Sequence, residues 1–213
     1  YQSLYTNTAA NNTAVGYQAF YTNGAGTNNA AFGYQAGYNN TGGNITVMGY
    51  KAGFSHTTGS TIDAFGYLAL QANTTGSNNV GIGFNALYSN TTANNNTAVG
   101  YQAGYSNTTG TPNDAFGYVA LYSNTTASDN TALGLQVLYS NTTGTGNTAI
   151  GQNALDANTI GTNNTSVGFD SLTSNTTGVD NVAIGSQAGR SSTTATRGTF
   201  IGRSAGYGNT TAL

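Results

Sequence analysis

A glycine recurs about every 17 residues through the whole chain, and this interval constrains the fold more than any other feature. Gly16, Gly33, Gly49, Gly66, Gly83, Gly100, Gly117, Gly134, Gly151, Gly168, Gly185 and Gly202 define eleven intervals, ten of 17 residues and one of 16. The unit reads Asn-Thr-Ala-Val-Gly-Tyr-Gln-Ala-(Leu/Gly)-Tyr-Ser-Asn-Thr-Thr-Gly-x-Asn. The residue before each glycine is large and apolar, from Val15, Phe32 and Met48 to Ile184 and Ile201. The third residue after it is small (Ala19, Ala36, Ala103, Ala188) and the fourth is usually Leu or Gly (Leu70, Leu87, Leu121, Gly104). Self-similarity at a fixed period is the signature of a stacked repeat.

Seventeen residues hold no 3.6-residue apolar stripe, and Gly, Asn, Thr and Tyr are poor helix formers. Thr97-Ala98-Val99-Gly100-Tyr101 alternates as a strand does, with Thr, Val and Tyr on one face and Ala and Gly on the other. Ala103-Gly104-Tyr105 reads as a second short strand, and Asn107-Thr108-Thr109-Gly110 as a turn in which Asn and Gly supply left-handed backbone. A lone coil buries about two large side chains, worth roughly 1.5–3 kcal/mol each. Ordering its backbone costs roughly 1–2 kcal/mol per residue, so it folds only by stacking on others. The expected fold is all-β, a parallel β-solenoid (β-roll) of about twelve 17-residue coils sharing an apolar column. It is expected to be a single repeat array over residues 1–213, cut mid-repeat at both ends, without separate domains. The short interval is expected to lose its residue between Gly43 and Met48, and the first partial repeat near Ala10.

The composition narrows the function classes. Only 5% of residues are charged, against about 25% in an ordinary domain. The net charge is -2, and the four basic residues, Lys51, Arg190, Arg197 and Arg203, are scattered, so nucleic acid is not an expected partner. No apolar run approaches the ~20 residues of a membrane helix. Zero cysteines and a single histidine leave no usual zinc set, and no cofactor or metal is expected. His56 replaces the turn Asn of its repeat and reads as a solvated turn residue. The six acids, Asp63, Asp114, Asp129, Asp156, Asp170 and Asp180, are spread along the array. Asp63 and Asp114 share a column, as do Asp129 and Asp180, but three coils, roughly 14 Å, separate the members. Gly202-Arg203-Ser204-Ala205-Gly206 matches a nucleophile elbow and Gly81-Ile82-Gly83-Phe84-Asn85-Ala86 a loose dinucleotide fingerprint. Both are the ordinary repeat, and neither opens a helix. The chain is expected not to be an enzyme.

Asn96-Thr97-Ala98-Val99-Gly100-Tyr101-Gln102-Ala103-Gly104, echoed by Asn147-Thr148-Ala149-Ile150-Gly151-Gln152-Asn153-Ala154-Leu155, resembles the repeat in the heads of trimeric autotransporter adhesins. It resembles still more the Asn-Thr-Ala-x-Gly-Tyr-x-Ala-Leu-Tyr-Ser-Asn-Thr-Thr-Gly arrays of tail-fibre-like proteins of bacteria and phages. The repeat here is longer than the adhesin-head one by an Asn-Thr-Thr turn. The resemblance implies a left-handed β-roll, usually trimeric, located outside the cell, on its surface or on a virion.

Three ladders follow from the period. Tyrosines recur one after the glycine (Tyr17, Tyr34, Tyr50, Tyr67, Tyr101, Tyr118) and five after it. The second set includes Tyr88, Tyr105, Tyr122 and Tyr139, which read either as a shield over the sheet or as a stripe binding cell-surface glycans. Asn73, Asn90, Asn107, Asn124, Asn141, Asn175 and Asn209 each open Asn-Thr-Thr, which is both a stackable turn and a glycosylation acceptor pattern. The Ala/Gly face of the first strand suits either a neighbouring chain or the interior of a two-layer roll. The expected function is a structural or adhesive extracellular fibre segment, self-associating as a homotrimer or end to end. The alternatives are a glycosylated self-assembling filament and an ice-binding solenoid that uses Thr108-Thr109, Thr125-Thr126 and Thr142-Thr143.

Overall fold

A computed structural model describes residues 1–210; Thr211, which completes the acceptor pattern begun at Asn209, and Leu213 lie outside the described residues. The chain is all-β and divides into two compact units, Tyr1–Thr109 and Gly110–Leu213. The first unit holds β1 (Thr13–Val15), β2 (Ala30–Phe32), β3 (Thr46–Met48), β4 (Ile62–Phe65), β5 (Asn79–Ile82) and β6 (Thr97–Val99). The second holds β7 (Asn113–Phe116), β8 (Asn130–Leu133), β9 (Thr148–Ile150), β10 (Thr165–Val167), β11 (Val182–Ile184) and β12 (Thr199–Ile201). Within each unit the strands pair in parallel and in chain order, which makes each a parallel β-solenoid. The register follows the period: Val15 sits beside Phe32, Ile82 beside Val99, and Ser166 between Ala149 and Ala183.

Of the two roles left open for the Ala/Gly face of the strand, the alanines take the interior one. The small residues point inward: Ala31, Ala64, Ala98, Ala132, Ala149 and Ala183 are fully buried. The large apolar residue before each glycine points out. Eight of these twelve are 36 to 66% exposed, and Phe65, Val99, Ile150 and Val167 are half-buried. The coil is narrow. Most strands place only an alanine methyl inside, and there the bulk comes from elsewhere. It comes from the fourth position after the glycine, where Leu70, Leu87, Leu121, Leu138, Leu155 and Leu172 are 0 to 2% exposed.

Those leucines are reached by a turn, not by the second strand expected at Ala103-Gly104-Tyr105; each coil has one strand. The second and fourth residues after the glycine both take left-handed backbone, as at Gln136 (φ 54°) and Leu138 (φ 50°). Placing a leucine there costs roughly 1–2 kcal/mol, which burying its side chain offsets by a similar or larger amount. The turn still bonds coil to coil: the Leu87 amide donates to the Ala103 carbonyl at 3.0 Å and the Ser89 amide to the Tyr105 carbonyl at 3.0 Å. Asn73 and Gly76 of Asn-Thr-Thr-Gly are not left-handed either; that conformation falls two residues later, at Asn78 (φ 57°), Asn95 (φ 60°) and their equivalents.

The Leu-or-Gly alternation now has a cause. A β-carbon at Gly104 would sit 2.9 Å from Cδ2 of Leu87, so the leucine of one coil fills the space above the glycine of the next. Where the strand supplies a larger inward residue, the turn gives way. Val47 faces Gly53, where a β-carbon would be 2.9 Å from Val47 Cγ1, and Phe200 fills the space at Gly189 and Gly206. Core volume is conserved across the coil while its source moves.

The short interval loses its residue at Asn40-Thr41-Gly42, not between Gly43 and Met48. The Asn40 side chain donates to the Gly42 carbonyl two residues on, whereas Asn73 reaches the Gly76 carbonyl three residues on. Asn7 reaches Ala9 in the same way, so the first partial repeat is short at the matching place near Ala10. Both coils omit the second threonine of Asn-Thr-Thr and leave the strands in register.

The recurring glycine is a corner with φ of 116 to 139°. A β-carbon on Gly83 would collide with the carbonyl of Gly100, 2.7 Å from its carbon atom. Gly83→Ala is therefore expected to lower stability by about 2 kcal/mol or more, from strain of roughly 1–3 kcal/mol and the clash together. Urea unfolding of the two proteins checks it.

Candidate functional surfaces

The outer face of each strand carries two columns. One is the apolar column before the glycine. The other, two residues earlier, is mixed: Thr13, Ala30, Thr46, Asp63, Val80 and Thr97 in the first unit. Beyond the glycine corner runs an exposed aromatic row, Tyr17, Tyr34, Tyr50, Tyr67, Phe84 and Tyr101, with successive rings stacked at 5.1 to 5.3 Å. The first unit thus presents an apolar column and an aromatic row on either side of its glycines.

The second tyrosine set is half-buried. Tyr88 stacks on Tyr105 at 5.2 Å and 5°, and Tyr122 on Tyr139 at 5.2 Å and 11°. A sugar that stacks on an aromatic ring needs an open face. In these pairs each ring covers one face of the other, so the arrangement shields the coil better than it offers a platform.

The Asn-Thr-Thr asparagines form an interior hydrogen-bonded ladder. Asn73, Asn90, Asn107, Asn124, Asn141 and Asn175 are buried. Along the ladder the side-chain amide donates to the asparagine oxygen of the preceding coil: Asn90 to Asn73 at 2.7 Å, Asn158 to Asn141 at 2.8 Å, Asn175 to Asn158 at 2.9 Å. It also donates to a carbonyl of its own turn, as Asn141 does to Gly144 at 2.9 Å. A glycan on any of these nitrogens would have to occupy the core and would remove one of the two N–H donors that make these bonds. Asn209 is exposed. The motif count in the sequence passed over exposed acceptor patterns at Asn11, Asn44, Asn95 and Asn163, whose third residues are Thr13, Thr46, Thr97 and Thr165. A parallel ladder of Asn79, Asn96, Asn113, Asn130, Asn147, Asn164 and Asn181 lies at the start of the strands or one residue before them, its oxygens taking backbone amides of the next coil.

The threonines divide by position. The first of each pair donates its hydroxyl to the next coil, as Thr142 does to the Thr159 carbonyl at 3.0 Å. The second, Thr109, Thr126 or Thr143, is exposed in a turn. No flat double column of free threonine hydroxyls results.

His56 is not a solvated turn residue. It is 0% exposed and occupies the asparagine place in the ladder. Its Nε2 lies 2.9 Å from the Gly59 carbonyl, so Nε2 carries the hydrogen, and Nδ1 accepts from the Asn73 amide at 2.9 Å. Asn73 cannot turn round, because its oxygen already accepts from Asn90. Protonating Nδ1 would set two donors against each other. Burial holds the His56 pKa below its ordinary value of about 6.5, partly opposed by the Gly59 hydrogen bond. The unfolded chain then takes up a proton that the folded chain refuses. Stability should be full above pH ~6.5 and fall as the pH drops below it. Thermal unfolding between pH 7 and 5 should show this fall, and His56→Asn should flatten it.

A second break lies at Ser192, which is too short to continue the ladder. Its hydroxyl bonds the Asn209 carbonyl instead, and the buried Asn175 oxygen is left without a partner. Ser192→Asn is expected to supply the missing donor and stabilise the fold by about 1 kcal/mol, read as a rise in melting temperature.

The acids are closer than their sequence spacing implied. Asp156 and Asp170 stand on neighbouring coils. Burial first, and the charge of Asp170 second, push the Asp156 pKa up. Asp170 is held by Arg190 at 3.6 Å and by the Asn153 amide at 2.9 Å. No group of three or more metal-ligating side chains occurs among the described residues, and no helix there is long and apolar enough to cross a membrane. No protein-family model, curated protein or solved structure matches the chain.

Proposed function

We propose that this chain is a structural segment of an extracellular fibre, on a cell surface or virion, that works by self-association and not by catalysis. The observation that carries the reading is the use of the chemistry. Many asparagine, threonine and glutamine side chains, which could line a site, are spent on bonding one coil to the next, and the outer surface is a periodic array with few charges. Adhesion is the part of the reading that belongs to that array, with cell-surface glycans as a ligand class. The resemblance of the repeat to tail-fibre-like and adhesin-head arrays supports the location and a trimer.

Self-assembly with glycosylation is the second reading, and the exposed Asn11, Asn44, Asn95 and Asn163 favour it over the buried asparagines. The commitment of the first threonine hydroxyls weighs against ice binding. Negative-stain electron microscopy of purified protein tests the main proposal: fibres or fibrous bundles are expected, and discrete round particles at all concentrations would overturn it.

A further inference from the structure

The apolar column outside the strands is not needed by the coil that carries it. The core is already closed by alanine and leucine. Nor does facing outward from a sheet demand apolarity. The neighbouring column, two residues away on the same face, accepts Thr13, Asp63 and Thr97, while the column before the glycine is apolar in all twelve coils. Something specific to that column excludes polar groups.

We propose that this column, together with the aromatic row beyond the glycine corner, is an interface for a second copy of the chain. The proposal deepens the self-association in the fibre reading and rests on it. Three observations select the occupant. The first is area. The eight aromatic side chains among the twelve bury 150–250 Å² each when fully covered and the four aliphatic ones less, so the twelve, partly exposed, offer roughly 900 Å² in the first unit. That exceeds the ~300–600 Å² patch usual on a monomer and matches the ~800 Å² that each partner gives to a stable interface. The second is pitch. The apolar groups repeat once per coil, about every 4.8 Å, and another copy offers the same spacing along its whole length. A partner without that repeat meets a few of them and leaves the rest wet. The third is charge. The two strand columns and the aromatic row of the first unit contain one charged residue, Asp63, and Lys51 adds a second charge 5.5 Å from the centre of the Tyr50 ring. Two copies meet there without a field of like charges, and a strongly charged partner finds little to bind.

Light scattering of the purified chain across ~1–100 µM tests the proposal. The wild type is expected at two or more protomer masses. The triple variant Phe32→Thr, Met48→Thr, Ile82→Thr puts on that column the residue the adjacent column already carries, so the strand is preserved. It is expected to raise the apparent dissociation constant about 100-fold or more, with an unchanged circular-dichroism spectrum. The double variant Met48→Asp, Ile82→Asp is expected to be monomeric. Thr92→Asp, on an exposed turn away from the column, is expected to associate as the wild type does. A monomeric wild type at 100 µM would overturn the interface, as would a folded triple variant that associates unchanged. The two proposals can fail separately. Fibres formed equally well by the triple variant sink the interface and leave the fibre reading. A wild type that pairs through this column yet forms only round particles sinks the fibre reading alone.

Discussion

The carbonyl of Gly100 stands 2.7 Å, at its carbon atom, from where a β-carbon on Gly83 would be, and the same close approach recurs from coil to coil. Everything else depends on this contact. It sets the corner at which one coil lies flat against the next, so that strand amides, turn amides and side-chain amides all find acceptors one coil away. A coil with a substituent at the corner would be tilted off its neighbour, and the ladders would lose their registry together. The glycine is required twice over, by the backbone angle and by the neighbouring carbonyl.

That flat stacking explains a core that is polar on one side and apolar on the other. Two asparagine ladders run through it, and because most of their amides have a fixed partner above or below, burial carries little desolvation penalty. The ladders also expose substitutions that do not fit. His56 keeps the local bond to a turn carbonyl but ends the relay towards Asn40, and it ties this part of the core to pH. Ser192 leaves a buried oxygen bare. Both act through hydrogen-bond count, while the leucines and alanines around them act through volume.

The narrowness of the coil has its largest consequence outside. With an alanine behind most strands, the bulky residues before the glycines are turned to the surface. The protein therefore keeps its strongest apolar character where another molecule can reach it. It is this outward apolar column that the proposed interface between copies would use. Its fellow ladders of tyrosine, with rings packed face to face, shield the corners beside it.

The period, the stacking of parallel strands and the absence of helix were legible in the sequence, because a 17-residue repeat rich in Gly, Asn and Thr admits few other solutions; the turn that replaces the expected second strand was not. Val99 beside Ala98 also revealed the alternation. Which of them faced inward did not follow, since alternation is symmetric and the choice depends on how far the opposite wall lies. The same distance, set by the left-handed turns at Gln136 and Leu138, decided that leucine fills the core. His56 looked exposed because its neighbours in sequence are turn residues, yet that turn folds back onto the ladder. Asp156 and Asp170 looked remote because 14 residues separate them in the chain, nearly one coil, and one coil along the axis is only a strand spacing. Sequence determined the repeat unit and its direction of growth; the tertiary structure decided inside from outside, because only closure of the coil fixes the space between its walls.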